Sequence, residues 1–199
     1  MPAFINDVIN FFDGVPIFFT LSGYLIWSSV ERSKSFKNYM NKRFWRIYPE
    51  LWVAVAVEIV VLLLLYHQPI DWPQMGLFVF GQATIFQFWT PDFLRGYGCG
   101  TPNGALWTIC VIIQFYFVVY YLHKMLHGRN LKIWLLCLIL SVGVSMLTPL
   151  VKDVLGEIFG KIYGVTLIPF LWMFLSAAFV SEFKERYLLF LKEIGWFLY

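Results

Sequence analysis

Residues 51–66 read LWVAVAVEIVVLLLLY, an apolar run in which Glu58 is the one charged side chain. A helix needs about 20 predominantly apolar residues to cross the hydrocarbon core of a bilayer. Together with its flanking residues, this run predicts a membrane-crossing helix, and it sets the class of fold for the rest of the chain.

The composition of the whole chain agrees with a membrane protein. Of the 199 residues, 60% are hydrophobic and 14% are charged, and the mean hydropathy is +0.69. Soluble domains carry about 45–50% apolar and about 25% charged residues, and a soluble core of this size could not bury so much apolar surface. We therefore predict an all-α fold, a polytopic transmembrane helix bundle formed by residues 1–199 as a single domain.

The predicted bundle contains about six hydrophobic segments. They lie at about 15–30, 51–66, 75–89, 105–122, 131–151 and 162–180. A further apolar patch lies at 187–199. The segment at 75–89 is short and contains Gln82 and Gln87, which favours a re-entrant or interfacial run over a full crossing.

Basic residues predict which loops face the cytoplasm. Six of them lie between the first two segments: Arg32, Lys34, Lys37, Lys42, Arg43 and Arg46. Since short cytoplasmic loops are rich in Lys and Arg, we place this loop in the cytoplasm. The stretch at 123–132, HKMLHGRNLK, is also basic and should lie on the same side. Both assignments hold only if 75–89 does not cross the membrane.

Several classes of protein are disfavoured. A net charge of +3 does not suggest nucleic-acid binding. Three cysteines, Cys99, Cys110 and Cys137, without CxxC spacing predict free thiols rather than disulfides or a zinc site. The tail at 1–14 has no Lys or Arg, unlike the start of a secretory signal, and is predicted to lie outside.

The segment at 36–52, FKNYMNKRFWRIYPELW, is a candidate phosphate-binding site. Arg43 and Arg46 are three residues apart and would share a helix face, with Lys42 beside them. Clustered bases at a membrane surface can bind the phosphates of lipid head groups or of a nucleotide-like cofactor. Charge that only sets the topology is the alternative interpretation.

Polar side chains inside the apolar runs are candidates for lining a site. Small residues of the first segment, Ser22 among them, would let helices approach closely, together with Thr20 and Gly23. Gln114 and Tyr116 would face the bundle interior, where contact between helices is the alternative role. Trp107 suits a membrane interface.

Titratable side chains give one further candidate. Glu58 is an acid within a membrane segment and is therefore a candidate functional residue, with Arg95 as a conceivable partner. His123 and His127 are four apart, but HKMLH lacks the carboxylate of the HExxH motif. We therefore expect an interfacial histidine pair and no metal site, while His67 stands alone.

Three of these segments, in this order, resemble the acyltransferase 3 family of membrane acyltransferases. The family has a GV-x-x-FF-x-LSG-[FY]-L-I helix, and residues 14–26 read GVPIFFTLSGYLI. Its R-x-x-R-I-[YF]-P stretch matches residues 43–49. Its NG-x-LW-[TS]-[LI]-x-V-E-x-QFY segment corresponds to NGALWTICVIIQFYF at 103–117.

The resemblance implies transfer of an acyl group, often acetyl, from a cytoplasmic acyl-CoA donor to hydroxyls of cell-surface or exported glycans. Acyl-CoA would be a donor substrate and not a bound cofactor, and Arg43, Arg46 and Lys42 would contact its phosphates. The protein would then lie in a bacterial inner (plasma) membrane. Its other partners would be membrane lipid and the glycan acceptor, with no nucleic acid.

This sequence also departs from the family pattern. The glutamate of V-E-x-QFY is replaced by Ile112, which cannot accept a proton. The family's leading helix, with its expected catalytic histidine, has no counterpart here, and its later helices are not matched. We therefore expect a partial domain with little or no transfer by this chain alone. A non-catalytic membrane scaffold or binding protein is the alternative; a transporter would need broken helices or repeats near the midplane.

Overall fold

The computed structural model describes the backbone of residues 14–98 and 101–197, and the side chains of 14–98 and 101–184. Within these ranges the chain is helical and has no strand. The tail at 1–13, Cys99 and the side chains of the patch at 187–199 lie outside them. The prediction of an all-α fold is confirmed.

Seven α-helices are described, and two short 3₁₀ turns follow the third and the sixth. The helices are α1 (Gly14–Glu31), α2 (Phe36–Leu65), α3 (Trp72–Ala83), α4 (Trp107–Leu126), α5 (Leu131–Met146), α6 (Thr148–Gly164) and α7 (Leu171–Phe197). The turns are Asp92–Leu94 and Ile168–Phe170. The chain divides into two compact units, Ser35–Phe117 on the one hand and Met1–Lys34 with Val118–Tyr199 on the other.

Helix length and composition identify the membrane segments. Among the described residues, α2 with 30 residues and α4 with 20 are each long and apolar enough to cross a bilayer. The pair α5 and α6, bent by 48° at Leu147, supplies a third span if it is one broken segment. The protein is therefore an integral membrane protein, as the composition predicted.

The short helix α3 contains the first part of the apolar run at 75–89. Its 12 residues extend about 18 Å at 1.5 Å per residue, less than the roughly 30 Å of a hydrocarbon core. The side chains of Gln82 and Gln87 are buried, and each donates to the backbone carbonyl of the other, at 3.5 and 3.4 Å. By length, α3 cannot cross alone; whether it is re-entrant or interfacial stays a prediction.

The predicted segments at 131–151 and 162–180 have the wrong boundaries. Helix α5 ends at Met146, and a separate helix, α6, covers the whole of the expected gap at 152–161. Pro149 lies in the first turn of α6, and Pro169 lies in the 3₁₀ turn before α7. Since proline has no backbone N–H to donate, it is tolerated at a helix start and interrupts a continuing helix.

Helices α1 and α7 approach closely at Gly23. A Cβ atom built on Gly23 would lie 2.6 Å from the backbone oxygen of Phe174 and 3.2 Å from the Cβ of Ala177. Five residues further along α1, the hydroxyls of Ser28 and Ser181 share a 2.8 Å hydrogen bond. The predicted role of a small residue is confirmed at Gly23, whereas the Thr20 hydroxyl donates within its own helix, to the backbone of Pro16.

We expect Gly23→Ala to lower the thermal unfolding midpoint of the purified protein. The added methyl would overlap a backbone atom that cannot move aside, and overpacking of this kind costs about 1–3 kcal/mol. Gly143→Ala in α5 is the matched control, because nothing lies within 4 Å of its built Cβ. There the same change should be neutral or stabilising by about 0.5–1 kcal/mol, as expected for glycine in a helix interior. Equal midpoints for the two variants would contradict the close approach.

The carboxylate of Glu182 on α7 joins α1 to the turn that follows α4. It accepts hydrogen bonds from the Trp27 indole at 2.9 Å, the Gly128 backbone N–H at 2.8 Å and His127 Nδ1 at 3.1 Å. Burial alone would raise the pKa of Glu182, but these hydrogen bonds and the nearby His127 hold that pKa below its ordinary value. The folded state therefore favours the ionised carboxylate.

Acidification should accordingly destabilise the protein through Glu182. A carboxylate whose pKa is lowered by folding contributes stability at neutral pH, and this contribution is lost as the pH falls through the acidic range towards the lowered pKa. We expect the unfolding midpoint to fall with pH, and less steeply in Glu182→Gln. Glu157→Gln, which changes an exposed ion pair with Lys161, should retain the wild-type slope. Identical slopes in all three proteins would refute this role.

Candidate active site

The basic end of α2 carries the predicted donor-binding residues. The hydroxyl of Ser35 caps the helix by accepting from the backbone N–H of Asn38 at 3.3 Å. This cap fixes where the helix begins, so that Lys37, Lys42 and Arg43 fall in its first turns. The positive end of a helix dipole also favours an anion.

Arg43 is held against two tyrosine rings. It is only 5% exposed, and its guanidinium carbon lies 5.7 Å from the ring centre of Tyr39 and 5.4 Å from that of Tyr116. Both distances are within the range of about 6 Å over which a cation is attracted to an aromatic face. Tyr39 lies one turn before Arg43 on α2, and Tyr116 lies on α4. Both rings therefore attract the guanidinium and hold it in place.

The three predicted bases differ in their surroundings. Lys42 and Arg46 are exposed, whereas Arg43 is buried. A groove of about 720 Å³ lies along the start of α2, and its lining includes Lys37 but not the three predicted bases. The groove is lined by Ser35, Phe36, Lys37, Asn38, Met40, Asn41, Phe44 and Phe117. Lys37 belongs to the basic cluster seen in the sequence, but the spacing of the motif gave no reason to single it out.

Glu58 lies in a second cavity, further along α2. The cavity has a volume of about 400 Å³ and is lined by Ala54, Val57, Glu58, Val61, Leu62, Tyr97, Pro102 and Asn103. Both carboxylate oxygens of Glu58 are buried and have no hydrogen-bond partner among the described residues. The suggested partner, Arg95, instead pairs with Asp92 at 2.9 Å on the surface. Pro102 and Asn103 bring the start of the NGALW segment to this cavity.

Helix α4 carries most of the other predicted residues. It begins at Trp107, which is half-buried. The side-chain amide of Gln114 donates to the backbone of Cys110, one turn earlier, at 3.3 Å. Ile112 is 3% exposed, so an apolar side chain occupies a buried position where the family pattern has a glutamate.

The remaining predicted residues belong to the unit that contains α1. Ser22 is half-buried on that helix. His123 and His127 stack with their ring centres 4.7 Å apart, as the predicted pair. Glu182 joins them and was missed, because it lies 55 residues beyond His127 and no local pattern connects the two. Within the described residues Cys110 and Cys137 are free thiols.

The sequence is similar to known proteins of one family. Residues 3–198 match the family model described as an acyltransferase domain. The chain is 33% identical to Nodulation protein 10 of Rhizobium leguminosarum bv. viciae over 123 residues, which are 57% of this chain and 34% of that protein. It is 29% identical to the peptidoglycan O-acetyltransferase OatA of Listeria monocytogenes over 118 residues, 54% of this chain and 19% of that protein.

The aligned regions thus cover about a third of one relative and about a fifth of the other. No solved structure matches the chain. The family model, in contrast, extends over nearly all of the sequence, including α2, α4 and both cavities. The chain therefore belongs to the acyltransferase 3 family.

Proposed function

We propose that this protein is a membrane acyltransferase that binds an acyl-CoA donor at the basic end of α2. The donor's acyl group, acetyl in our proposal, passes to a hydroxyl of a cell-surface or exported glycan. We place the protein in a bacterial inner membrane, where a cytoplasmic donor can meet an exported acceptor. The observation that carries the proposal is the burial of Arg43 beside two tyrosine rings, in a segment that the family shares.

The setting of Arg43 suits recognition of phosphate. Taking a guanidinium out of water is costly, so a buried one is expected to have a specific role. The two tyrosines hold the guanidinium in place, and a guanidinium can bind a phosphate bidentately. Lys42 and Arg46 are exposed nearby. Their charges would attract the donor's phosphates without holding them in one position.

Glu58 supports the acceptor side of the reaction. It lies fifteen positions after Arg43, about 22 Å along the helix axis. An acyl-CoA carries its thioester at the far end of a long pantetheine arm, so phosphates and reacting carbon can occupy separate places on one helix. In our proposal the acceptor hydroxyl attacks the thioester carbonyl while Glu58 takes its proton. The tetrahedral intermediate then expels the CoA thiolate, which is protonated as it leaves.

Ile112 favours a second candidate, a protein that binds the donor without transferring its acyl group. The family pattern has a glutamate at this position, and the buried isoleucine can neither accept nor orient a proton. A non-catalytic scaffold would keep Arg43 buried beside the tyrosines and bind the donor, but it would not transfer the acyl group.

Acetyl-CoA labelled in its acetyl group separates the two candidates. Proteoliposomes containing the chain would receive the donor on the basic side and a soluble glycan on the other. We expect slow release of CoA thiol with label in the glycan, and faster transfer in Ile112→Glu. Donor binding without thiol release in either protein would favour the scaffold. The absence of both binding and release would overturn the proposal.

A further inference from the structure

A cluster of three metal-ligating side chains lies in the unit formed by α1 and α5–α7 together with the C-terminal end of α4. His123 lies in the last turn of α4, His127 directly follows that helix, and Glu182 lies on α7. One potential ligand atom from each lies within 4.8 Å of those of the other two. The proposed acyl transfer uses none of these residues, so the cluster needs an explanation of its own.

His123 has a buried nitrogen that nothing in the described part of the chain satisfies. The residue is 9% exposed, and its Nε2 atom is buried without a hydrogen-bond partner among the described residues. The indole ring of Trp27 packs against the imidazole, with ring centres 4.8 Å apart. A buried polar nitrogen with no partner is destabilising, and a bound ion would remove that cost.

The carboxylate of Glu182 is already held in position. The Trp27 indole N–H and the Gly128 backbone N–H donate to it at 2.9 and 2.8 Å. Gly128 has φ +70°, a conformation that glycine adopts without strain, and this turn directs its N–H to the carboxylate. In metal sites, hydrogen bonds from outside the ligand set orient the ligands in this way.

We propose that His123, His127 and Glu182 bind a divalent transition-metal ion of the zinc class. Two imidazoles and one carboxylate form a ligand set that zinc prefers, with a fourth position open. Two ligands of a tetrahedral zinc ion lie about 3.3 Å apart, given bonds of about 2.0–2.1 Å. His127 Nδ1 and Glu182 Oε2 are 3.1 Å apart, so an entering ion would replace the proton between them. The imidazole of His123 is stacked on that of His127, with ring centres 4.7 Å apart, and would turn to bring a nitrogen to the ion. His127 is half-exposed, which leaves the ion a path from solvent.

The competing explanation is a hydrogen-bonded cluster that binds no metal. In that case His127 simply donates to Glu182, and the arrangement serves to join helices. The two explanations differ in their need for His123, which makes no described hydrogen bond through Nε2. A metal site needs this side chain as a ligand, whereas the hydrogen-bonded cluster forms without it.

Metal titration of the purified chain in detergent tests the proposal. After treatment with a chelator, the protein would be titrated with Zn²⁺ against a chromophoric chelator. We expect one tightly bound equivalent, and affinity at least tenfold weaker in His123→Ala and in Glu182→Gln. His67→Ala is the control, because His67 is exposed in the other unit, its Nδ1 beside the backbone oxygen of Leu65. Binding that is equal in the wild type and in His123→Ala would overturn the proposal.

A measurement on the wild-type protein removes any dependence on how the variants fold. X-ray absorption of the Zn²⁺-loaded protein should show two imidazole ligands and oxygen ligands at bonding distance. A spectrum without imidazole scattering, or a wild type that binds no zinc, would equally overturn the site. The result is independent of acyl transfer, because neither readout involves the donor.

Discussion

Alanine at position 43 is expected to weaken acyl-CoA binding by about 10- to 100-fold. Hydrogen bonds to a charged group contribute about 1.5–3 kcal/mol each, and every 1.4 kcal/mol is a factor of ten in affinity. Arg43 is the predicted base that the structure buries, and two tyrosine rings lie beside its guanidinium. Its loss should therefore remove a preformed phosphate contact. Equilibrium binding of acetyl-CoA to the protein in nanodiscs measures the effect.

Three variants sharpen the interpretation. Arg43→Lys keeps the charge but loses the planar fork, so binding should fall to an intermediate level. Arg46→Ala removes an exposed charge, which contributes about 0–1 kcal/mol, and should change the affinity only a few-fold. Arg32→Ala changes the same basic loop outside α2 and should bind as the wild type does. If Arg43→Ala and these three variants all bind acetyl-CoA as tightly as the wild type does, the basic residues only set the topology.

Glutamine at position 58 is expected to raise stability while it suppresses transfer. The carboxylate oxygens of Glu58 are buried without a described hydrogen-bond partner, an arrangement that costs free energy in an apolar segment. A neutral amide relieves part of that cost, so the thermal midpoint should rise. The amide cannot accept the hydroxyl proton, and a general base contributes about 100-fold or more to the rate. Thiol release from acetyl-CoA should therefore fall by at least about 100-fold.

The combination of the two effects is the informative result. Glu50→Gln is the control, because Glu50 is an exposed acid on the same helix. It should change neither the midpoint nor the rate. A Glu58→Gln protein with higher stability and unchanged transfer would exclude Glu58 as the base and leave donor binding intact. Lower stability would show that the carboxylate has a structural partner.

Much of the fold follows from the sequence, because helix formation in a membrane depends on apolar length. Backbone groups must be satisfied within the segment there, so an apolar run of sufficient length becomes a helix. That reasoning predicted α2 and α4, and it recognised from length that the run at 75–89 was too short to cross. The same reasoning gave wrong boundaries around α6. There Pro149 lies in the first turn of a new helix, inside an apolar stretch that predicts one continuous helix.

The candidate site was predicted only in part. Spacing identified Arg43 and Arg46, and Glu58 was evident as an acid in an apolar run. The burial of Arg43 was not, because it depends on Tyr116, which only the packing of α4 against α2 brings to the guanidinium. The ring of Tyr39 could have been noticed, since it lies four residues before Arg43. Glu182 had no local pattern to reveal it.

Photo-crosslinking with an acyl-CoA analogue that carries a reactive group near its phosphates tests the central claim most directly. Peptide mapping by mass spectrometry would locate the attachment in the intact protein. Binding of the donor at the basic end of α2 predicts labelling within residues 36–49, abolished by excess acetyl-CoA and strongly reduced in Arg43→Ala. Labelling elsewhere in the chain, or labelling that excess acetyl-CoA does not displace, would contradict the account.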